Sequence, residues 1–331
     1  MTMHAIRLHA FGPAENLRYE ELPALKPGPG QARIAVTVAG VHRIDTALRA
    51  GGRRMALPLP ELPTIPGREV AGIVDALGEN VDSSWLGRRV VAHLGQGGGG
   101  YADQAVAYAT SLHAIPDALD DAAAVAMIGT GRTTMRILDG ARLVPGDVAL
   151  VTGATGGIGS LLVQAAIHAG AAVVGGAWGP TKVAEVAKLG ATVAVDYSDP
   201  AWPDAVRRAL GGREVSVAFD GIGGAVGRQA LELLGAGGRL ILFGAIGDEP
   251  TKLSASDLFA RSLTVTSAIG PALAKMPPAA LRALEERALA AAAEGKLVPR
   301  VHPPFPLEHA AEAHRAIESR ATMGKTVLAA R

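Results

Sequence analysis

Hydrophobic and polar positions follow two different patterns along the chain. Up to about residue 125, short apolar runs are separated by glycine and proline, which is typical of short strands joined by turns. The predicted strands cover residues 5–9, 32–38, 70–77, 89–93 and 102–107. This part of the sequence predicts a small, irregular β-barrel rather than a helical domain.

From about residue 129, strand-like apolar runs alternate with helix-like segments. The predicted strands are residues 147–152, 172–176, 192–195, 215–220 and 239–243, and the helices between them are 161–168, 181–189, 200–210 and 225–234. The third helix is expected to begin with Asp199 as its cap and Pro200 in its first turn. The chain closes with predicted strands at 263–267 and 325–329 and helices at 279–294 and 307–320. The alternation predicts βαβ units in a doubly wound parallel sheet, so the fold class is α/β.

The hydropathy pattern does not predict a membrane span or an export signal. Residues 148–181 carry no charged side chain, but eight glycines interrupt them. A spanning helix needs about 20 consecutive apolar residues, so this segment is interpreted as buried α/β core. The first 22 residues lack the apolar segment of a secretory signal. The sequence therefore predicts a cytoplasmic protein with no membrane partner.

Composition narrows the possible chemistry. The chain has 331 residues, of which 49% are apolar, enough for one large domain or two ordinary ones. Thirty-two basic and 31 acidic residues leave a net charge of +1, so no basic excess indicates a nucleic acid partner. Cysteine is absent, which excludes disulfides, thiolate metal sites and a cysteine nucleophile. Glycine is in excess, with 42 residues, and the excess is expected to lie at structured turns.

A glycine-rich turn follows the predicted strand at 147–152. It comprises Ala154, Thr155, Gly156, Gly157, Ile158 and Gly159, and a helix is predicted after it. Gly156 would let the backbone approach a pyrophosphate, and Gly159 would let the helix pack closely on the strand. The helix would present unpaired N–H groups to the anion. A tight turn without a ligand is the alternative, but the strand–helix alternations that follow favour a dinucleotide.

The choice of dinucleotide follows from charge at the end of the second predicted strand. Proteins that bind NAD usually carry Asp or Glu there, to hold the ribose 2′-hydroxyl. Residues 174–182 contain no acidic residue and end in Lys182. An ammonium group attracts a 2′-phosphate, so NADPH is favoured over NADH. The alternative is that Lys182 is only a solvated residue of the first helical turn.

A second glycine–lysine motif, near the carboxyl end of the chain, is not assigned to a phosphate. Gly324-Lys325-Thr326 resembles the end of a phosphate-binding P-loop. Residue 319 is serine rather than glycine, and a strand is predicted after the motif where a P-loop has a helix. No phosphate site is therefore expected there.

Several motifs in order along the chain carry a family resemblance. They are residues 40–51 (GVHRIDTALRAG), 62–72 (LPTIPGREVAG), 99–103 (GGYAD), 154–159, 220–224, 238–244 and 306–325. Together they resemble the zinc-independent medium-chain dehydrogenases/reductases, most closely the NADPH:quinone oxidoreductases related to zeta-crystallin. A series of ordered motifs that spans nearly the whole chain is far more specific than any one of them.

The resemblance implies a GroES-like catalytic domain at residues 1–127 and 268–331, and a Rossmann NADPH-binding domain inserted at 128–267. It also implies an active-site cleft between the two domains and a homodimer joined through the Rossmann sheets. By position, Gly179, Lys182 and Tyr197 match residues that hold the adenosine 2′-phosphate. Residues 155–159 match the pyrophosphate loop, and Thr133, Phe243, Gly244 and Ala245 match positions near the ribose and nicotinamide.

Zinc-dependent relatives have three ligand positions, and this chain fills them differently. His42 stands at the first, Arg68 at the second, and the glycine-rich segment 129–131 near the third. A catalytic zinc needs three protein ligands, which one histidine and a guanidinium cannot supply. The sequence therefore predicts a metal-free enzyme. Two other departures, His42 in place of the family's asparagine and a missing tyrosine at residues 51–55, prevent the substrate range from being carried over.

Without a metal, hydrogen-bond donors must polarise the acceptor. That suits electron-poor acceptors such as quinones, with the hydride supplied by the nicotinamide. His42 is the candidate proton donor, because the ordinary histidine pKa suits transfer near neutrality; the alternative is a structural donor beside the cofactor. Asp45 is the second candidate residue, and it is expected to orient a neighbour, for which Arg49 is considered, rather than to react.

Two other functions stay open. One is an NADPH-dependent reductase of enones or enoyl thioesters, whose coenzyme phosphates Arg53, Arg54 and Arg68 could contact weakly. The other is a non-catalytic NADPH-binding sensor or structural protein. An assay of NADPH oxidation with a quinone, an enone or neither distinguishes them.

The Lys182→Ala variant is predicted to lose affinity for NADPH while its affinity for NADH stays the same. A charge-assisted contact to phosphate contributes about 1.5–3 kcal/mol, so the dissociation constant for NADPH should rise by about tenfold or more. Titration of the variant and the unchanged protein with both cofactors measures the effect. Equal affinity for NADH and NADPH in the unchanged protein, together with no effect of the substitution, would contradict the prediction.

Overall fold

The computed structural model describes residues 1–52, 58–245, 249–270, 273 and 275–330. The chain divides into two compact units. The first comprises residues 1–132, 278–295 and 299–331, and the second comprises 133–277 and 296–298. None of the described helices is long and apolar enough to cross a membrane.

The first unit is built on antiparallel strands. A hairpin of β1 (Thr2–Leu8) and β2 (Leu17–Pro23) accompanies a seven-stranded sheet. The strands of that sheet are β3 (Gln31–Val41), β4 (Glu69–Leu77), β5 (Arg89–His93), β6 (Gln104–Tyr108), β7 (Leu112–Ala114), β14 (Phe305–Pro306) and β15 (Thr326–Ala329). They run in the order β14-β15-β3-β4-β5-β7, with β6 also paired to β3. Their inward apolar side chains form one buried core, which confirms the predicted β-rich part.

The second unit contains a six-stranded parallel sheet. Its strands are β8 (Val148–Thr152), β9 (Ala172–Ala177), β10 (Val193–Asp196), β11 (Val215–Asp220), β12 (Leu234–Leu242) and β13 (Thr264–Ser267). The spatial order β10-β9-β8-β11-β12-β13 reverses direction beside β8. This is the order of a doubly wound nucleotide-binding sheet, in which ligands bind at the carboxyl ends of the strands. The predicted α/β fold class is confirmed.

Ten helices occur in the described residues. They are α1 (Arg43–Arg49), α2 (Asp121–Ala126), α3 (Arg132–Ala141), α4 (Gly157–His168), α5 (Pro180–Lys188), α6 (Trp202–Leu210), α7 (Gly224–Glu232), α8 (Ala255–Arg261), α9 (Pro278–Ala293) and α10 (Ala310–Glu318). A single π-helical turn, Met127–Gly131, joins α2 to α3. Such turns interrupt the regular spacing of side chains along a helix and are frequent at functional sites.

The start of α6 differs from the sequence prediction. The helix begins at Trp202, with Ala201 as its cap and Pro203 in its first turn, rather than after Asp199. The Asp199 carboxylate instead accepts the N–H of Ala201 at 2.9 Å, so it closes the turn before the helix. Aspartate favours both arrangements, and the sequence pattern does not separate them.

A buried carboxylate holds the carboxyl ends of the two central strands together. Asp220, at the end of β11, is fully buried. Its Oδ1 accepts the Thr152 hydroxyl at 2.9 Å and the N–H groups of Ile222 and Gly223 at 3.0 and 3.1 Å. The loop after β11 is therefore fixed beside the end of β8, where the glycine-rich turn begins.

Candidate active site

The glycine-rich turn after β8 closes as the sequence predicts. Gly153 has a φ of +65°, a conformation that favours glycine, and α4 begins at Gly157. A Cβ on Gly159 would lie 2.1 Å from the Gly153 carbonyl oxygen, so no larger residue fits there. Residues 155–159 are thereby gathered at the amino end of α4, whose first N–H groups have no partner within the helix. This cradle of backbone N–H groups fits a pyrophosphate.

Gly179, Lys182 and Tyr197 are brought to one edge of the second unit. Gly179 has a φ of +81° and precedes α5, and Lys182 lies in the first turn of that helix. Tyr197 follows β10, and its ring meets the half-exposed ring of Trp178 edge to face, with centroids 6.1 Å apart. These positions follow the neighbouring strands β9 and β10, where a dinucleotide's adenosine end is expected.

A carboxylate that the sequence analysis missed lies among these residues. Asp196 ends β10, and its Oδ1 accepts the Gly179 N–H at 2.9 Å and the Ser198 hydroxyl at 2.6 Å. Burial opposes ionisation, but these hydrogen bonds outweigh it and hold the pKa of Asp196 below its ordinary value. The Gly179 N–H is therefore already engaged, and this glycine contributes its backbone conformation. The available signal was the acidic residue at the end of the third predicted strand.

The remaining predicted cofactor residues lie in the second unit as well. Phe243, Gly244 and Ala245 follow β12 directly, and Thr133 is the second residue of α3. A Cβ on Gly244 would lie 2.6 Å from the Gly221 carbonyl oxygen, so the two loops pack backbone against backbone. The segments after β8, β9, β10 and β12 thus share the carboxyl edge of one parallel sheet.

His42 lies in the first unit, as the residue before α1. Its backbone N–H donates to Asp45 Oδ2 at 2.8 Å. Asp45 is buried, and the same oxygen accepts the hydroxyl of the fully buried Tyr101 at 3.1 Å. The Tyr101 oxygen also lies 3.1 Å from Nε2 of the buried His314. Burial lowers the pKa of His314 to about 4, so this histidine is neutral near neutral pH.

Asp45 therefore orients His42 and Tyr101 by direct hydrogen bonds. The neighbour considered from the sequence, Arg49, forms its ion pair with Glu318 instead. The physical reason is geometric: Asp45 lies in the first turn of α1, where its carboxylate reaches back to the N–H that precedes the helix.

The His42 side chain belongs to a group of three polar residues. His42 Nε2 lies 2.7 Å from Glu69 Oε1 and 2.9 Å from Lys325 Nζ. The Lys325 ammonium donates to Glu69 Oε2 at 2.6 Å. The side chains of Glu69 and Lys325 are 0% and 3% exposed, whereas that of His42 is 25% exposed. Only the imidazole of this group reaches the surface of the first unit.

Strand register explains how three distant residues meet. Val41, at the end of β3, pairs with Thr326, at the start of β15, so His42 and Lys325 flank the same strand pair. Glu69 begins β4, which also pairs with β3. The contacts of Lys325 therefore depend on the pairing of strands from opposite ends of the chain.

Two glycines make room for the buried carboxylate. A Cβ on Gly129 would lie 1.6 Å from Glu69 Oε1, and one on Gly40 would lie 2.4 Å from Glu69 Oε2. Gly129 belongs to the π-helical turn and to the segment 129–131 that the sequence analysis compared with the third zinc-ligand position. A side chain at either glycine would displace the carboxylate.

Charges around Glu69 decide its protonation. Burial opposes ionisation, but His42 and Lys325 outweigh burial and hold the pKa of Glu69 well below its ordinary value. His93 faces Glu69 across the β4–β5 pair, and burial together with the charge of Arg132 lowers the pKa of His93 to about 3. Arg132 in turn donates to Glu285 at 2.8 Å. The first unit therefore encloses two pairs of opposite charges on either side of the neutral His93: Lys325 with Glu69, and Arg132 with Glu285.

Sequence analysis did not identify Glu69 or Lys325 as site residues. Glu69 stood inside the quoted motif at 62–72, and Lys325 in the motif compared with a P-loop. The signal that could have found them is charge in a strand whose other residues are apolar. Arg53, Arg54 and Met55, considered from the sequence, lie outside the described residues. Within the described residues, no three His, Asp or Glu side chains come together as a metal-ligand set.

Two family models match the chain. The model of the alcohol dehydrogenase GroES-like domain matches residues 28–117, and the model of the zinc-binding dehydrogenase matches residues 157–286. The first match covers His42, Arg68 and Glu69. The second lies outside all three positions that correspond to zinc ligands.

Individual relatives match over almost the full chain. A quinone oxidoreductase of Sus scrofa is 31% identical over 98% of this chain and 97% of its own length. A 2-haloacrylate reductase of a Burkholderia species is 32% identical over 99% of both chains. The crystal structure of Escherichia coli quinone oxidoreductase complexed with NADPH is 27% identical and superposes with a TM-score of 0.87, covering 99% of this chain and 100% of its own.

The Gly129→Ala variant is predicted to be less stable than the unchanged protein. The added methyl group overlaps the Glu69 carboxylate, and forced repacking of this kind costs about 1–3 kcal/mol. Gly140→Ala in α3 is the matched control, because nothing lies within 4 Å of its added Cβ. Urea unfolding of both variants measures the difference. Equal midpoints for the two substitutions would show that the carboxylate is not confined as described.

Proposed function

The chain belongs to the medium-chain dehydrogenase/reductase family, in its quinone oxidoreductase group, and we propose that it reduces quinones with NADPH and without zinc. Its relatives show that it is an oxidoreductase of the medium-chain dehydrogenase/reductase type. The observation that carries the metal-free part of the proposal is the Lys325 ammonium, which lies between His42 Nε2 and Glu69 Oε2. An ammonium in this position puts a positive charge where an imidazole and a carboxylate would otherwise bind a cation.

Residues of the second unit fit NADPH. The amino end of α4 and the glycine cradle at 153–159 would hold the pyrophosphate, and Lys182 would attract the 2′-phosphate. Tyr197 and Trp178, whose rings meet edge to face, offer aromatic surface at the same edge of the unit. Thr133, Phe243, Gly244 and Ala245 would line the ribose and nicotinamide end, as the resemblance implies. When bound, NADPH supplies the hydride from its nicotinamide C4.

The chain's own groups would complete the reduction. Transfer of a hydride to a quinone leaves a negative charge on oxygen, which needs a hydrogen-bond donor and then a proton. His42 is the one partly exposed residue of its group of three, and Asp45 fixes the backbone that carries it. We assign proton donation to the His42 imidazole and a positioning role to Asp45. Since the donor is weaker than a metal ion, the acceptor must itself be electron-poor.

A second candidate function has an observation in its favour. The Burkholderia relative is a 2-haloacrylate reductase, and a haloacrylate carries a carbon–carbon double bond conjugated to a carboxylate. A reductase of enones or enoyl thioesters would use the same cofactor residues and the same donor. A non-catalytic NADPH-binding protein is the third possibility, and it predicts binding without turnover.

One assay separates these functions. NADPH oxidation is followed by the absorbance of its reduced nicotinamide, with a para-quinone, an enone, an enoyl thioester and an aldehyde as acceptors. We expect the quinone to be reduced with the highest kcat/KM, and dialysis against a chelator to leave the rate unchanged. Preference for the enone supports the second function, and binding without oxidation of NADPH supports the third. Stoichiometric zinc in the active protein would overturn the metal-free proposal.

The His42→Ala variant is expected to lose most of its kcat with the quinone. Removal of a general acid typically costs about 10²- to 10⁴-fold, whereas KM for NADPH should stay the same because His42 belongs to the other unit. His309→Ala is the matched control, since its half-exposed side chain touches only Glu312 among the contacts described. An undiminished kcat in His42→Ala would leave His42 a structural residue.

We also propose a cytoplasmic homodimer, as the resemblance implies. The strand β13 lies at the edge of the six-stranded sheet, and an edge strand offers free backbone groups to a second copy. Light scattering should then report about twice the chain mass of 33.7 kDa; a monomer at all concentrations would refute the dimer.

A further inference from the structure

A lysine is buried beside the residue to which we assign proton donation. The Lys325 side chain is 3% exposed, and its nitrogen contacts both Glu69 Oε2 and His42 Nε2. A buried ammonium needs one carboxylate to balance its charge, and Glu69 meets that need. The additional contact with an imidazole is not required for charge balance, so it invites a functional explanation.

We propose that Lys325 stores the proton that His42 delivers, so that the two residues form a short relay to the acceptor. The inference rests on the proposed function, because it requires His42 to act as the donor. In this relay the imidazole carries its proton on the ring nitrogen that does not contact Lys325, and it gives that proton to the oxygen of the reduced acceptor. Lys325 Nζ simultaneously gives a proton to His42 Nε2, and the ammonium becomes a neutral amine.

Each turnover transfers one hydride and one proton to the acceptor. The quinone gains a hydride from NADPH and a proton from His42, and becomes a hydroquinone. Lys325 loses one proton, and it regains one from solvent through His42 after the product leaves. Since the Lys325 side chain is almost fully buried, the imidazole is its route to water among the contacts described. One stored proton matches the one proton that each turnover consumes.

The position of Glu69 makes this transfer feasible. Its two oxygens lie 2.6 Å from Lys325 Nζ and 2.7 Å from His42 Nε2, so the carboxylate contacts both the donor and the acceptor of the proton. The proton crosses the 2.9 Å between the two nitrogens, and once both residues are neutral the Glu69 carboxylate keeps only the hydrogen bond from His42 Nε2, so this state lasts only until solvent returns the proton. Among the residues that the structure describes, Glu69 Oε1 has no other hydrogen-bond donor, and a proton on Nε2 would satisfy it.

Neighbouring groups keep the proton within this set. His93, which faces Glu69 from β5, stays neutral because burial and Arg132 lower its pKa to about 3. Arg132 is paired with Glu285, and an arginine does not release its proton in proteins. Of the charged groups that surround Glu69, Lys325 and His42 are thus the ones that can exchange a proton.

Arginine and methionine at position 325 test the relay. Lys325→Arg keeps the positive charge but removes a proton that can be released, and Lys325→Met removes both. We expect both variants to lower the single-turnover rate of quinone reduction by about 10²-fold or more, with the dissociation constant for NADPH unchanged. Lys188→Arg and Lys188→Met serve as matched controls, because the Lys188 side chain is 73% exposed. A Lys325→Arg variant that keeps at least half of the rate overturns the relay and leaves Lys325 a fixed charge.

The unchanged protein provides a test that does not depend on folding of a variant. Single turnovers are measured in mixtures of H₂O and D₂O at a pH where the rate is constant. If two protons move in the same step, a plot of the rate against the fraction of deuterium is curved. A straight plot shows that one proton moves and overturns the relay. The two proposals fail separately. If the unchanged protein oxidises no NADPH with any acceptor, the proposed function fails; if only His42→Ala is slow, the relay alone fails.

Discussion

The ionised Glu69 carboxylate is the constraint on which the candidate active site depends. A fully buried carboxylate is tolerated only with balancing charge and hydrogen bonds, and breaking such a pair typically costs about 3–5 kcal/mol. Lys325 and His42 supply that balance from two other strands. The three residues therefore fix the relative positions of β3, β4 and β15, and they do so where the imidazole reaches the surface of its unit.

Glycine serves this carboxylate and the nucleotide loop in the same way. Gly129 and Gly40 leave the space that the Glu69 oxygens occupy, just as Gly159 leaves space for the Gly153 carbonyl group. In each case a side chain is absent because another group needs the volume. Part of the excess of glycine in the composition thus reflects two sites of close packing, one in each unit, and many of the other glycines have the positive φ of turns.

The parts of the structure that could be predicted from the sequence are those with a local cause. The strands and helices of the parallel sheet follow from apolar runs and glycine stops, and the glycine-rich turn follows from its neighbours along the chain. The group of His42, Glu69 and Lys325 has no local cause, since Glu69 and Lys325 are 256 residues apart. Their contact depends on strand register, which single residues do not reveal. Helix α1 was missed for a related reason: it has seven residues and is shaped by the Asp45 contacts.

The charge of the site also limits the chemistry that it can perform. A divalent metal ion polarises a carbonyl directly, whereas an ammonium that acts through an imidazole offers a single charge at a greater distance. Such a site gives little help to an acceptor that resists reduction, such as a simple ketone. It suffices for one whose product anion is stabilised by its own conjugation, as in a quinone or an activated alkene. The proposed function therefore extends from a quinone to an activated alkene such as a haloacrylate, because the two acceptors differ in structure but make the same modest demand on the protein.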